Sequence, residues 1–199
     1  MEIPILPSLI TLENDFVLLR PLEITDIDHL LEFAMTEPEI WKYSLAQGGG
    51  KENMIKYISD AVLARVLNKE YAFIVFDKLK NKYAGSTRFY DIQLLYKTIQ
   101  LGYTWYGKKF QGTGLNKNCK YLMLEYAFEI LGLERVEFRA DNRNERSKAA
   151  MLSIGCKEDG ILRSNLPDNT GGRRDSIVLS ILRDEWFHNV KQLLLNKIM

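Results

Sequence analysis

Residues 97–128, KTIQLGYTWYGKKFQGTGLNKNCKYLMLEYAF, read as a strand, a glycine turn and a helix in that order. Ile99, Leu101, Tyr103 and Trp105 alternate with Gly102 and Thr104, the period of a strand with two different faces. Gly112 and Gly114 then allow a tight turn. Beyond them Leu115, Tyr121, Leu122, Leu124, Tyr126 and Phe128 supply the apolar positions of a largely buried helix. A turn ahead of a helix presents free backbone N–H groups and the positive end of the helix dipole. Together these attract phosphate. No Gly-Lys-Ser/Thr follows the glycines, which disfavours a nucleoside triphosphate as the ligand.

Upstream, the stretch 16–22 (FVLLRPL) predicts a short strand stopped at Pro21, after an irregular arm over residues 1–14. Thr25 and Asp26 are cap candidates for the amphipathic helix IDHLLEFAM. Residues 36–50 are loop-like, and ENMIKYISDAVLARVLNKE is a second helix. YAFIVFDKL and KYAGSTRFYDI, joined by the turn KLKNK, predict two strands ahead of the opening stretch. Downstream, Gly132 suits the end of the helix and RVEFRADNR is a strand. RNERSKAAMLSIGC is a helix stopped by Gly155. Then come ILRSNLP, a polar loop DNTGGRR, the strand DSIVLSIL and a C-terminal helix around DEWFHNVKQLLLNKI. No repeat or linker divides the chain. One α/β (α+β) domain over residues 1–199 is expected, with a mixed, mostly antiparallel sheet covered by helices.

The totals narrow the function. Lys plus Arg numbers 27 and Asp plus Glu 26, a formal charge of +1. That balance argues against nucleic-acid binding through bulk charge. Cys119 and Cys156 stand far apart, without a C-x-x-C or a neighbouring histidine pattern, so neither a metal site nor a disulfide framework is expected. The N-terminus carries Glu2, Pro4 and Pro7 and lacks a basic leader, and no apolar run approaches a bilayer span. The expectation is a cytoplasmic protein with no membrane partner.

Four segments resemble one family, the Gcn5-related N-acetyltransferases (GNAT), and within it the ribosomal-protein alanine acetyltransferase (RimJ/RimL-like) type. Lys109-Phe110-Gln111-Gly112-Thr113-Gly114 is similar to the family's R/Q-x-x-G-x-G/A loop. LGYTW resembles the strand before it. Asn144-Glu145-Arg146-Ser147 with Ser153-Ile154-Gly155 is similar to the family's N-x-x-S…k-l-G-F, and DSIVLSILRDEW matches the ending of the subgroup. The resemblance covers residues 12–187. A two-glycine loop alone is weak; its order and spacing relative to the other three make the match specific.

The resemblance implies a GNAT fold with helices on both faces and the sheet splayed between its fourth and fifth strands. It implies acetyl-CoA as co-substrate and no metal. The pantetheine arm would pair with backbone near Tyr103, Thr104 and Trp105. The pyrophosphate would lie on Lys109, Phe110, Gln111, Gly112, Thr113, Gly114 and Leu115, and Asn144 and Ser147 would touch the arm. The acceptor would be a primary amine, on a protein N-terminus or a small molecule, and a homodimer is common in such families.

Two chemical positions depart from the family pattern. Met151 stands where many relatives place an acidic tyrosine, which leaves Ser147 as the implied proton donor or else a helix-start residue. Gln100 stands where a carboxylate base is usual, leaving Asp91 or Asp141 as a base, unless each is a turn or surface carboxylate. Trp41, Tyr43 and Tyr90 suit either an acceptor pocket or the core. Arg163, Arg173 and Arg174 suit either an acidic or peptide acceptor or a solvated loop. His29 and His188 lack motif partners, and Cys119 sits at core spacing. Besides the transferase, a non-catalytic acyl-CoA-binding module fits Met151 and Gln100, and another nucleotide-binding enzyme fits the glycine turn alone.

Overall fold

The computed structural model describes residues 5–198. Eight strands form one sheet: β1 (Leu12–Glu13), β2 (Val17–Pro21), β3 (Tyr71–Asp77), β4 (Lys82–Gln93), β5 (Thr98–Tyr106), β6 (Arg135–Asp141), β7 (Lys157–Pro167) and β8 (Arg173–Leu182). The order across the sheet is β1-β2-β3-β4-β5-β6-β8-β7. Every neighbouring pair is antiparallel except β5 with β6. Between those two the chain runs through α3 (Leu115–Glu125), the crossover that a parallel pair requires.

Trp105 and Tyr106 are neighbours on β5, so they point to opposite faces. Trp105 packs against Phe33 of α1 (Ile27–Thr36) and Tyr57 of α2 (Lys51–Val66), at ring-centroid distances of 6.0 and 6.3 Å. Tyr106 instead reaches Asn116 on α3, with a hydroxyl-to-Oδ1 distance of 3.3 Å. Helices therefore cover both faces. On the α3 face α4 (Glu145–Ser153) lies against β6. The C-terminal segment is α5 (Arg183–Glu185), a π turn at Trp186–Val190 and α6 (Lys191–Ile198), which backs α3. Trp186 is fully buried against Phe128 and Tyr121 and donates to Glu129 at 2.8 Å.

The sheet opens between β5 and β6. They pair only from Thr98–Gln100 to Arg135–Glu137; beyond that β5 keeps β4 and β6 keeps β8. On β5, Gly102 faces Arg88 and Trp105 faces Ser86, which leaves two residues, Tyr103 and Thr104, opposite Thr87. That is a β-bulge, and Tyr103 carries it with a φ of +48°. The splay falls between the fourth and fifth full-length strands, as expected; the two-residue β1 shifts their labels by one.

Three segments differ from the sequence reading. The arm before residue 15 contributes β1 and buries Leu6 and Ile10, and Ile10 N–H donates to the Tyr71 hydroxyl at 2.7 Å. Its residues 1–4, with the Glu2 and Pro4 of the leader argument, lie outside the described residues. KEDGILRSNLP is the edge strand β7; exposed along most of its length, it has no apolar alternation to announce it. Arg173 and Arg174 open β8, so the polar turn is only 168–172.

Candidate functional site

The gap between β5 and β6 widens into a cleft of about 610 Å³. At one end lies the glycine turn, where Gly112 and Gly114 have φ of +73° and +85°, a region in which other residues are strained. A Cβ built on either glycine would meet nothing within 4 Å, so the space above the turn is open. The Gln111 side chain braces the turn: its Nε2 donates to Tyr106 O at 2.7 Å, and its Oε1 accepts from Arg146 Nη1 of α4 at 2.6 Å. Phe110, Gln111, Gly112 and Gly114 line the cleft. Lys109, Thr113 and Leu115 do not. Lys109 is exposed, Thr113 turns its hydroxyl onto Phe110 O at 2.8 Å, and Leu115 is packed in the core. Lys117 and Arg146, unassigned in the sequence reading, bring positive charge to this end.

Tyr103, Thr104 and Trp105 form the middle of the wall. Thr104 Oγ1 lies 2.8 Å from Thr87 Oγ1 and accepts from Lys120 Nζ at 2.7 Å. Lys120 is buried on α3 and also reaches Thr87 at 3.2 Å. Burial lowers its pKa to about 7, with no carboxylate bonded to it among the described residues. This lysine clamps the bulge to the helix. Its only sequence signal is a cation inside the apolar run 119–124.

Facing that wall, Asn144 caps α4 by accepting the Ser147 N–H at 3.1 Å. The cap is therefore Asn144, and Ser147 stands in the first turn with its own hydroxyl unbonded among the described residues and its side chain on the cleft. Met151 lines the same wall one turn on.

The far end carries the aromatic residues. Trp41, Tyr43 and Tyr90 all line it; Trp41 is also core, in edge contact with Trp105 at 4.9 Å. Tyr90 lies over Gly102, where a Cβ would come within 2.9 Å of its ring, and stands edge-on to Tyr103 at 5.0 Å. Gln100 lines the cleft, and its Nε2 donates to Asp91 at 2.8 Å. Asp91 itself is not on the cleft wall; it reaches the site only through Gln100. Asp141 does line it, but Arg143 holds the carboxylate with contacts of 2.7, 2.9 and 3.0 Å and keeps its pKa below the usual range. Of the three arginines, Arg174 faces the cleft, while Arg163 and Arg173 are exposed and off its wall.

The remaining candidates lie elsewhere. His29 stacks on Tyr83 at 4.1 Å, and exposed His188 meets Asp184 O at 2.7 Å. Cys119 and Cys156 are buried free thiols whose pKa values burial raises, Cys119 to about 12, so they act as core. Among the described residues no group of His, Cys, Asp and Glu could hold a metal, and no helix is long and apolar enough to cross a membrane.

A sheet split beside two parallel strands, above a glycine turn that presents a helix N-terminus, defines an acetyltransferase cleft. The Acetyltransferase (GNAT) domain family matches residues 17–157, and the chain belongs to that family of N-acetyltransferases. It is 33% identical over 102 residues to YdaF of Bacillus subtilis, by its name a candidate ribosomal N-acetyltransferase; the match spans 51% of this chain and 55% of that protein. The uncharacterized N-acetyltransferase p20 of Bacillus licheniformis is 25% identical over 181 residues, 88% of this chain and 98% of p20. The structure of a GCN5-related N-acetyltransferase from Brucella melitensis has the same fold, with a TM-score of 0.89 at 22% identity, covering 98% of this chain and 88% of that one.

Proposed function

We propose that the protein transfers the acetyl group of acetyl-CoA to a primary amine. The observation that carries this reading is the continuity of one cleft from the glycine turn, past the open edge of β5, to the aromatic end. The residues present fit the donor. The space over Gly112 and Gly114 is free of side chains, the first N–H groups of α3 face it, and Lys117 and Arg146 stand beside it. These groups would hold the pyrophosphate. The β6-facing edge of β5 from Leu101 to Tyr106 has no strand partner among the described residues, so the Tyr103–Trp105 backbone is free to pair with the pantetheine arm, and Asn144 and Ser147 face it from α4. When bound, acetyl-CoA supplies an activated acetyl thioester.

The chain's own contribution is placement, which can lower a barrier by several kcal/mol. Backbone N–H groups of the open β5 edge offer donors for charge developing on the acyl oxygen. The unbonded Ser147 hydroxyl is the proton donor on the sulfur side, since the Met151 thioether has no proton to give. Asp91 fixes the Gln100 amide nitrogen, which leaves the Gln100 carbonyl oxygen to accept an N–H from the incoming amine. Asp91 is off the cleft wall and Asp141 is tied to Arg143, so neither carboxylate stands free at the cleft to take the proton. An N-terminal α-amine, with an ordinary pKa of about 8, needs least help to lose its proton. That favours a protein or peptide N-terminus over a lysine-like amine. Buried reduced thiols accord with a cytoplasmic setting.

The second reading, a non-catalytic acyl-CoA-binding module, draws on Met151 and Gln100 at the two chemical positions. Release of free thiol from acetyl-CoA, followed across N-terminal peptides and small amines, separates the two. Turnover with any acceptor supports the transferase. CoA binding with no turnover over the whole panel supports the module.

A further inference from the structure

The fold buries two arginines and treats them differently. Arg88 is 4% exposed, bonds Glu70 at 2.6 Å and lies over the rings of Tyr57 and Tyr103 at 4.8 and 4.4 Å. Arg174, on β8, is 6% exposed and makes no salt bridge among the described residues. Its Nη1 donates to Tyr43 O at a long 3.4 Å, and its Nε is buried with no partner. The nearby carboxylates are engaged elsewhere. Asp141 is held by Arg143, and Asp168 accepts from Arg143 at 3.2 Å and from the N–H groups of Thr170 and Gly172 at 2.9 Å each. A guanidinium keeps its proton throughout the accessible pH range, so this is a permanent buried cation that no carboxylate bonds among the described residues; Asp141 acts on it only as a nearby charge, its oxygens held by Arg143. Desolvation accordingly pulls its pKa downward.

Arg174 stands where the cleft meets an adjoining pocket of about 300 Å³, against the Tyr43–Leu45 segment. The unpartnered Nε leaves the guanidinium wanting an acceptor atom. We infer that Arg174 forms an anion subsite at the aromatic end of the cleft, and that the amine acceptor carries a carboxylate that docks there. This rests on the acetyltransferase reading. A guanidinium fork pairs bidentately with a carboxylate, and one carboxylate balances the single buried charge of Arg174. The other cleft cations are placed otherwise: Lys117 and Arg146 flank the glycine turn, Lys120 bonds two threonines and Arg139 bonds Glu137 at 2.6 Å.

The test uses matched acceptors that differ only in acid against amide: peptides beginning with Glu or Gln and with Asp or Asn, and free amino acids with their carboxamides. The peptide and free-acid arms separate an acidic side chain from a free α-carboxylate. In thiol-release assays the acid of at least one pair is expected to have a kcat/KM about tenfold higher, a typical discrimination for a charge-assisted pair. Arg174→Gln should raise the KM for that acid about tenfold, leave its amide and acetyl-CoA unchanged, and be partly rescued in Arg174→Lys. Calorimetric titration of the same pairs into the CoA-saturated protein reads the subsite without turnover. Turnover with no acid preference in any pair overturns the subsite, as does equal loss for acid and amide in Arg174→Gln. Acid-selective binding through Arg174 with no acetyl transfer upholds the subsite and overturns the transferase reading. No acid-selective binding in calorimetry overturns the subsite whatever the turnover.

Discussion

At the residue scale, Ser147 and Lys120 make separable claims. Asn144 already caps α4, so Ser147→Ala removes a cleft hydroxyl without removing the cap. We expect kcat to fall at least tenfold, with CoA affinity within about twofold and little change in stability. A kcat within twofold of wild type, measured at saturating substrates, would remove Ser147 from the donor role. Lys120 speaks through pH. Its folded pKa of about 7 lies below the ordinary lysine value of about 10.4. Below pH 7 the lysine is protonated in both states and the cost of burying the charge is full. Between pH 7 and 10 the unfolded chain holds more protons than the folded one, so this group makes stability rise with pH. From pH 6.5 to 9.5 wild type should gain up to ~3 kcal/mol relative to Lys120→Met in urea unfolding. A difference that stays flat across that range would show that Lys120 is not shifted.

At the scale of elements, the strand–turn–helix unit was legible because its signals are local: alternation on β5, two glycines, and an apolar face on α3. Its chemistry is testable at Gly112, where a φ of +73° and open space combine. Gly112→Val strains the turn and projects methyl groups into the space where the pyrophosphate would lie. CoA affinity should fall at least tenfold in calorimetry while the far-UV circular dichroism stays as wild type. Unchanged affinity would move the donor site off the turn. What escaped the sequence is non-local. β7 hides because an edge strand exposed on both faces has no period to read. The bulge at Tyr103 depends on how β5 registers against β4. Arg174 looks like a loop cation beside Arg173, and only the packing of β8 against the segment around Tyr43 separates a buried charge from a solvated one. Lys109 and Leu115 belong to the motif but not to the cleft wall: a motif names contiguous residues, while a turn presents only some of their side chains to the cleft.

At the scale of the molecule, the sheet is two blocks, β1–β5 and β6–β8, whose strands pair across the seam at only three positions, Thr98–Arg135, Ile99–Val136 and Gln100–Glu137. The rest of the seam is the cleft. A ligand that lies along it touches the glycine turn after β5, the open β5 edge and the N-terminal turn of α4, and so ties the blocks together. On the proposed reading an extended pantetheine arm would do this, while ATP and NAD, which lack the arm, would reach only the turn. At 100 times its Kd a ligand that binds only the folded state adds about 2.7 kcal/mol. For a chain of 199 residues that corresponds to a Tm rise of about 5–10 °C. CoA and acetyl-CoA should each produce a rise of this size in a thermal-shift titration, with ATP and NAD giving less than about 2 °C at equal concentration. A rise with ATP equal to that with CoA would mean that the turn alone binds and the seam takes no arm. No rise with CoA at any concentration would remove both the transferase and the acyl-CoA-binding module, because each requires this seam to close on the same molecule.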